Sequence, residues 1–254
     1  MTRDLILVVA PFRSGSTAVW SLLRRHDDIT AYYEPLHERL PEFVAQPRPI
    51  DPTHLGVADD YFAEYRSPGG WAEARSIQER AAAASFTTFD DPVDREAMEA
   101  WISWLVASAS TPKVVLQFNR LCLALPALRE MLPGALLVTL HRPARECWLS
   151  GRRHTDQAFS LYAARYARNL PTASTVERLA AQSTRGAELL DRVWPARGCR
   201  WFDGYHRQFD LDAARLSDLQ IQHGELSGDG AGICRQLEDG LELSAGSLDP
   251  QILV

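Results

Sequence analysis

The stretch LILVVAPFRSGSTAVWSLLRRH, Leu5 to His26, limits the fold more than any other part of the chain. A run of Leu, Ile and Val stops at Ala10–Pro11. A loop of Arg, Gly and small hydroxyl residues follows, and apolar residues resume at Val19, Trp20, Leu22 and Leu23 with helical spacing. An unbroken β-branched run is the mark of a strand buried on both faces, and the changed period marks a helix packed against it. The rest of the chain repeats the alternation. The segments ITAYY (29–33), KVVLQFN (113–119), GALLVTLH (134–141) and LQIQHGEL (219–226) read as strands. Helices are predicted over 71–84, 93–109, 126–132, 156–194 and 231–241, and from Pro143, a favoured first-turn residue. With no internal repeat and no clear linker, this pattern predicts an α/β domain spanning 1–254, its central, mostly parallel sheet flanked by helices. Residues 34–70, rich in Pro and Gly, read as a long irregular segment, and loops of that length usually carry function.

Charge and cysteine usage narrow the function. The chain has 254 residues and a formal net charge of −6, which argues against a surface built to bind nucleic acid or anionic membrane. Basic residues gather instead at Arg24–Arg25 and in HRPARECWLSGRRH, His141 to His154. The four cysteines, at 122, 147, 199 and 234, form no CxxC pair and are expected to be reduced thiols. The opening apolar run is too short for a signal peptide, and no stretch reaches the length of a membrane span, so the expected compartment is the cytoplasm.

The loop after the first strand is suited to an anion. Gly15 lets the backbone come close to a ligand, and the amides of Ser14 to Thr17 lie at the positive end of a helix dipole. Ser16 and Thr17 add hydroxyl donors, and Arg13 adds a fork of charged donors that suits phosphate or sulfate oxygens. It is not the loop of an ordinary nucleotide kinase, which needs a Gly, four residues, then Gly-Lys-Ser/Thr. Here Ser16 follows Gly15.

PFRSGST, Pro11 to Thr17, resembles the phosphosulfate loop of sulfotransferases that use 3′-phosphoadenylyl sulfate (PAPS), whose pattern is Pro, any residue, Lys or Arg, then Ser-Gly-Thr/Ser-Thr. A second element agrees. In that family a strand is followed by Arg-x-x-Arg, with a Ser eight residues after the first Arg; Arg142, Arg145 and Ser150 fall on those positions. The resemblance implies that Arg142 and Ser150 grip the 3′-phosphate, with Arg145 as a supporting contact. A weaker echo of the family's closing segment reads His223-Gly224-Glu225-Leu226, and carries no catalytic role. The resemblance runs from residue 5 to about 243. It implies a P-loop-like three-layer fold and transfer of a sulfuryl group from PAPS to a hydroxyl of a small-molecule or carbohydrate acceptor, with release of PAP. Residues 34–110, the least matched part, are the expected acceptor-binding insertion.

A proton must leave the acceptor hydroxyl. YYEPLHERL, 32–40, follows the second strand and offers Glu34, His37 and Glu38. Its Glu-Pro resembles the carbohydrate-type and bacterial members of the family, in which an acidic residue there is a candidate base. Glu34 is the first candidate and His37 the second. Arg13 is expected to meet the charge developing on the leaving group, work that Mg²⁺ does elsewhere, and no metal site is expected. Gln117 stands where several relatives have a lysine, while Arg120 is kept, and the Gly-x-x-Gly-x-x-Lys element of the steroid and phenol enzymes is missing. His141, Trp101 and Trp104 read as core. Two alternatives stay open: a nucleotide-dependent kinase with a degenerate loop, against which Asn119 and His141 at strand ends count because a kinase needs a magnesium-holding Asp, and a non-catalytic PAP-binding protein.

Overall fold

Every second side chain of the first strand packs on a different layer, and this sets the architecture. In β1 (Asp4–Val9), Leu7 and Val9 join one buried cluster while Ile6 and Val8 join another on the opposite face. The computed structural model describes residues 4–37, 39–46, 60–66, 70–84, 92–154, 192 and 200–253. Within them β1, β2 (Ile29–Tyr33), β3 (Lys113–Phe118), β4 (Leu136–His141) and β5 (Leu219–Gln222) form one all-parallel sheet in the order β2-β3-β1-β4-β5. The central strand is in register Val9↔Phe118 on one side and Val9↔Thr139 on the other.

Helices cover both faces. On one lie α1 (Ser16–Arg24), α8 (His223–Gly228), α9 (Gly230–Gly240) and the closing 3₁₀ turn Pro250–Leu253; Val19, Trp20, Ile233 and Leu237 from these elements share a core with Val115 and Val138. On the other lie α3 (Trp71–Ala84), α4 (Pro92–Ser108), α5 (Leu125–Met131), α6 (Ala144–His154) and α7 (Arg200–Leu216), whose Trp101, Leu128, Trp148 and Phe209 pack over Leu116 and Leu137. The chain leaves β1 toward one face, whereas its neighbours β3 and β4 lead into helices of the other. The carboxyl end of β1, where the chain changes face, is the place where open parallel sheets bind ligands.

Most elements agree with the sequence reading. The departures are α7 (Arg200–Leu216), where the sequence predicts no helix, and β5, which stops at Gln222 instead of running through 226. Gln222 and Glu225 form a reciprocal capping box, with the Gln222 side chain accepting from the third helical N–H and Glu225 accepting from the Gln222 N–H at 2.9 Å. That pair starts α8 and ends the strand. The segment expected to be irregular contains α2 (Leu40–Ala45) and a 3₁₀ turn, Ala63–Arg66. Arg66 donates to the carbonyls of Phe43 and Val44 and pairs with Asp60, and Arg24 of α1 pairs with Glu64, so these pieces are pinned to the domain. The helix expected over 156–194, Glu38 and Cys199 fall outside the described residues, apart from Arg192. The thiols of Cys122, Cys147 and Cys234 are free. Among the described residues no helix is long and apolar enough to cross a membrane.

Candidate active site

The loop between β1 and α1 turns on two residues in the left-handed region, Arg13 (φ 67°) and Gly15 (φ 91°). Gly15 is the N-cap of α1 and has no side chain to cap it, so the first-turn amides are left to other partners. A Cβ at Gly15 would lie 2.4 Å from Leu226 Cδ1 and 3.3 Å from His223 Cδ2. Glycine is therefore required by its dihedral, and any Cβ there would also force the end of the Leu226 side chain to shift. Arg13 is held in its strained conformation from outside the loop. Its carbonyl accepts from Arg142 Nη1 at 2.8 Å, and its own Nε donates to Ser150 Oγ at 3.2 Å.

These two bonds join the elements that the sequence keeps more than 120 residues apart. Through them the loop from Arg13 to Thr17, Arg142 at the end of β4 and Ser150 of α6 come together. Arg142 also donates through Nε to Glu146 at 3.2 Å, while Arg145 is exposed. The Ser14 side chain is buried against Cys147, with Oγ and Sγ 3.7 Å apart, so its hydroxyl faces α6. Burial pushes the Cys147 thiol up to about 12, so it stays protonated and unreactive. Thr17 Oγ1 lies 3.2 Å from Tyr33 Oη.

Glu34 ends β2 and is also left-handed, with φ 45°. Its N–H donates to Gln117 O at 3.0 Å, continuing the sheet ladder. Its buried carboxylate accepts from Asn119 N at 3.0 Å and pairs with the Arg120 guanidinium. Arg120 in turn lies under the Phe12 ring, 6.0 Å from its centre, which ties the acidic end of β2 to the β1–α1 loop. Residues held in sparsely populated backbone regions collect at functional sites, where surrounding contacts pay for the strain. His37 is half-buried, edge-on to Phe43 at 4.9 Å, and its Nδ1 accepts from Arg39 N at 3.0 Å. The neutral ring consequently carries its proton on Nε2.

One neighbour of the loop was given no role from sequence. His223 opens α8, packs over Gly15 and lies beside Arg142. Burial first, and the Arg142 charge second, hold its imidazole below the ordinary histidine range. Its approach follows from the capping box at Gln222–Glu225, a signal that is present in the sequence. His141 is buried, with Nδ1 2.9 Å from Asp210 and Nε2 3.1 Å from Thr139, and serves the β4–α7 contact. Trp101 is fully buried and donates to Pro35 O at 3.0 Å, while Trp104 stacks on it at 5.3 Å, partly buried. Among the described residues no group of three His, Cys, Asp or Glu side chains converges as metal ligands.

Comparison with known proteins places this geometry. A profile described as the sulfotransferase family matches residues 5–243. No curated protein matches the sequence. Among solved structures, a sulfotransferase from Alicyclobacillus acidocaldarius superposes with a TM-score of 0.50 at 14% identity, covering 98% of this chain and 85% of that one. The sulfotransferase STF9 from Mycobacterium avium gives 0.53 at 14%, covering 100% and 67%. The sulfotransferase domain of the Synechococcus PCC 7002 olefin synthase gives 0.51 at 16%, covering 100% and 77%. At such identities the structural likeness is one of fold. The profile match spans nearly the whole chain and takes in the loop, the end of β4 and α8, and by it this chain belongs to the sulfotransferase family.

Proposed function

We propose that the protein transfers a sulfuryl group from PAPS to a hydroxyl of a small-molecule or carbohydrate acceptor and releases PAP. The observation that carries the reading is the joining of two anion elements by the Arg13–Ser150 and Arg142–Arg13 bonds. A ligand where they join meets two sets of cationic and hydroxyl donors, one for each phosphate of a 3′,5′-bisphosphate. On this reading Arg13 and the amides and hydroxyls of Ser14 to Thr17 hold the phosphosulfate, and Arg142 and Ser150 hold the 3′-phosphate. The acceptor oxygen forms a bond to sulfur as the bond from sulfur to the 5′-phosphate oxygen breaks, and that electron pair departs with PAP. Arg13 stabilises the charge that develops there.

Glu34 is the better placed of the two candidate bases. A carboxylate is acceptor-only with about four lone-pair positions, whereas the one lone pair of the neutral His37 ring is already engaged by Arg39 N. Arg120 and Asn119 N fix the carboxylate at the end of β2. On this reading the acceptor side falls to the 34–110 segment, which begins at Glu34 in the sequence.

Calorimetry without metal, comparing PAP with ADP on wild type and Arg142→Ala, tests the donor assignment. PAP should bind far more tightly than ADP, and the substitution should weaken PAP by about tenfold to a hundredfold, as for a lost hydrogen bond to a charged group, and remove most of its preference over ADP. Equal binding of the two nucleotides would remove the 3′-phosphate site and return the kinase alternative. Glu34→Gln should then lower kcat for sulfuryl transfer by about 10²- to 10⁴-fold with PAP affinity kept. PAP binding with no turnover on any hydroxyl acceptor would leave the non-catalytic alternative.

A further inference from the structure

Ser16 sits at the start of α1 under two side-chain amides. Gln117 Nε2 lies 3.0 Å from its Oγ, and Asn119 Nδ2 lies 3.1 Å from it. One backbone carbonyl fixes which way both amides face. Asn119 Nδ2 is 2.8 Å from Ala10 O, and a carbonyl can only accept, so the nitrogen of Asn119 must be on that side. Its Oδ1 then faces Gln117 at 3.0 Å and requires the nitrogen of Gln117 there. Two N–H donors therefore end on one hydroxyl oxygen. A hydroxyl has two lone pairs and one hydrogen. With both lone pairs engaged, Ser16 can enter a further bond only as a donor, and no acceptor among the described residues takes its hydrogen.

A second observation separates this arrangement from ordinary packing. Gln117 is completely buried on a strand whose other inward residues are apolar, and its Oε1 has no hydrogen-bond partner. A buried acceptor left unpaired lowers stability, so an apolar side chain would suit the fold at least as well. What the amide adds is the N–H that reaches Ser16. We propose that Gln117 and Asn119 are positioning residues that turn the Ser16 hydroxyl into an obligate donor toward the phosphosulfate of the bound donor substrate. This rests on the PAPS reading of the loop. Arg13 supplies charge to that anion; the amide pair adds a directed neutral donor whose polarity is set one layer below the ligand.

A double-mutant cycle on PAP affinity tests it. Ser16→Ala should weaken PAP by about tenfold to a hundredfold. Gln117→Met should weaken it at least about threefold while the thermal midpoint stays within a few degrees of wild type, and the double variant should bind no worse than Ser16→Ala alone. If Gln117→Met fails to fold, Gln117→Glu carries the cycle: it keeps the shape but offers acceptors that draw the Ser16 hydrogen inward, so adding Ser16→Ala should again cost nothing more. Losses that multiply in the double variant would overturn the inference while leaving the donor assignment standing. No binding of PAP by wild type would overturn both.

Discussion

Gly15 shows how tightly a single residue is specified at this site. With φ at 91° and Leu226 Cδ1 2.4 Å from the position of a Cβ, Gly15→Ala meets both backbone strain and a clash. The left-handed conformation alone costs an alanine about 1–2 kcal/mol. The substitution should lower the melting temperature, and adding Leu226→Ala should relieve the clash but not the strain, so the double variant recovers none of that backbone share. An unchanged midpoint in Gly15→Ala would mean that the loop can adopt another conformation. The Glu34–Arg120 pair is the buried counterpart: both side chains are almost fully enclosed. Arg120→Met strands a buried carboxylate and should cost about 3–5 kcal/mol in chemical denaturation, whereas cutting the exposed Arg75–Glu79 pair should cost well under 1. Equal small losses would show that Glu34 finds water or another partner. The meeting of Arg13, Gly15, Arg142 and Ser150 could be expected from the sequence because each element is a short run with fixed spacing. The Glu34–Arg120 pair could not, since its members are 86 residues apart and only the β2–β3 register brings them together. The amide pair under Ser16 was hidden for the same reason, and Gln117 looked like a mere departure from a lysine.

At the scale of elements, the alternation of strand and helix was readable because parallel strands buried on both faces leave unbroken apolar runs. The end of β5 was misread, since HGEL continues a plausible strand pattern until the Gln222–Glu225 box is recognised as a helix start. The packing of α7 on β4 was likewise out of reach, and it brings a titratable group into the core. His206 of α7 is buried beside Phe202, with Asp210 on its own helix and His141 of β4 nearby. Burial lowers its imidazole from an ordinary 6.5 to about 4; the Asp210 charge opposes that and His141 adds to it. The folded value lies below the unfolded one, so the unfolded chain binds more protons between them. Stability from this group is complete above about pH 6.5 and is lost as pH falls toward 4. By pH 5 the loss should be about 2 kcal/mol relative to pH 7.5. His206→Phe should remove that increment, read as the pH dependence of the urea midpoint in the variant against wild type. Identical acid sensitivity in the two proteins would assign the effect to other groups.

The whole molecule depends on a segment beyond the span of the sulfotransferase profile, which ends at residue 243. Residues 244–253 return across α9 to the face of α1. Leu248 and Leu253 are buried in the same cluster as Val19, Trp20 and Leu23, and Pro250 lies so close to Gly230 that a Cβ there would come within 3.3 Å of its carbonyl oxygen. Glu238 of α9 is the anchor. It accepts from Gly246 N at 3.0 Å and Leu248 N at 2.9 Å, and these amides hold its carboxyl below the usual range. Truncation after Leu243 therefore uncovers the outer side of α1, which follows the Arg13–Gly15 turn, and takes away the amides that satisfy Glu238. Burying two leucines is worth roughly 3–6 kcal/mol, an upper bound that still approaches the 5–15 kcal/mol stability of a typical domain. The truncated chain should melt well below wild type. Leu248→Ala and Leu253→Ala should each reproduce part of the fall in midpoint, and Glu238→Ala a further part. A truncated chain with wild-type stability would show that α1 is held by the sheet and α9 alone, and that the closing turn rests on the domain without supporting it.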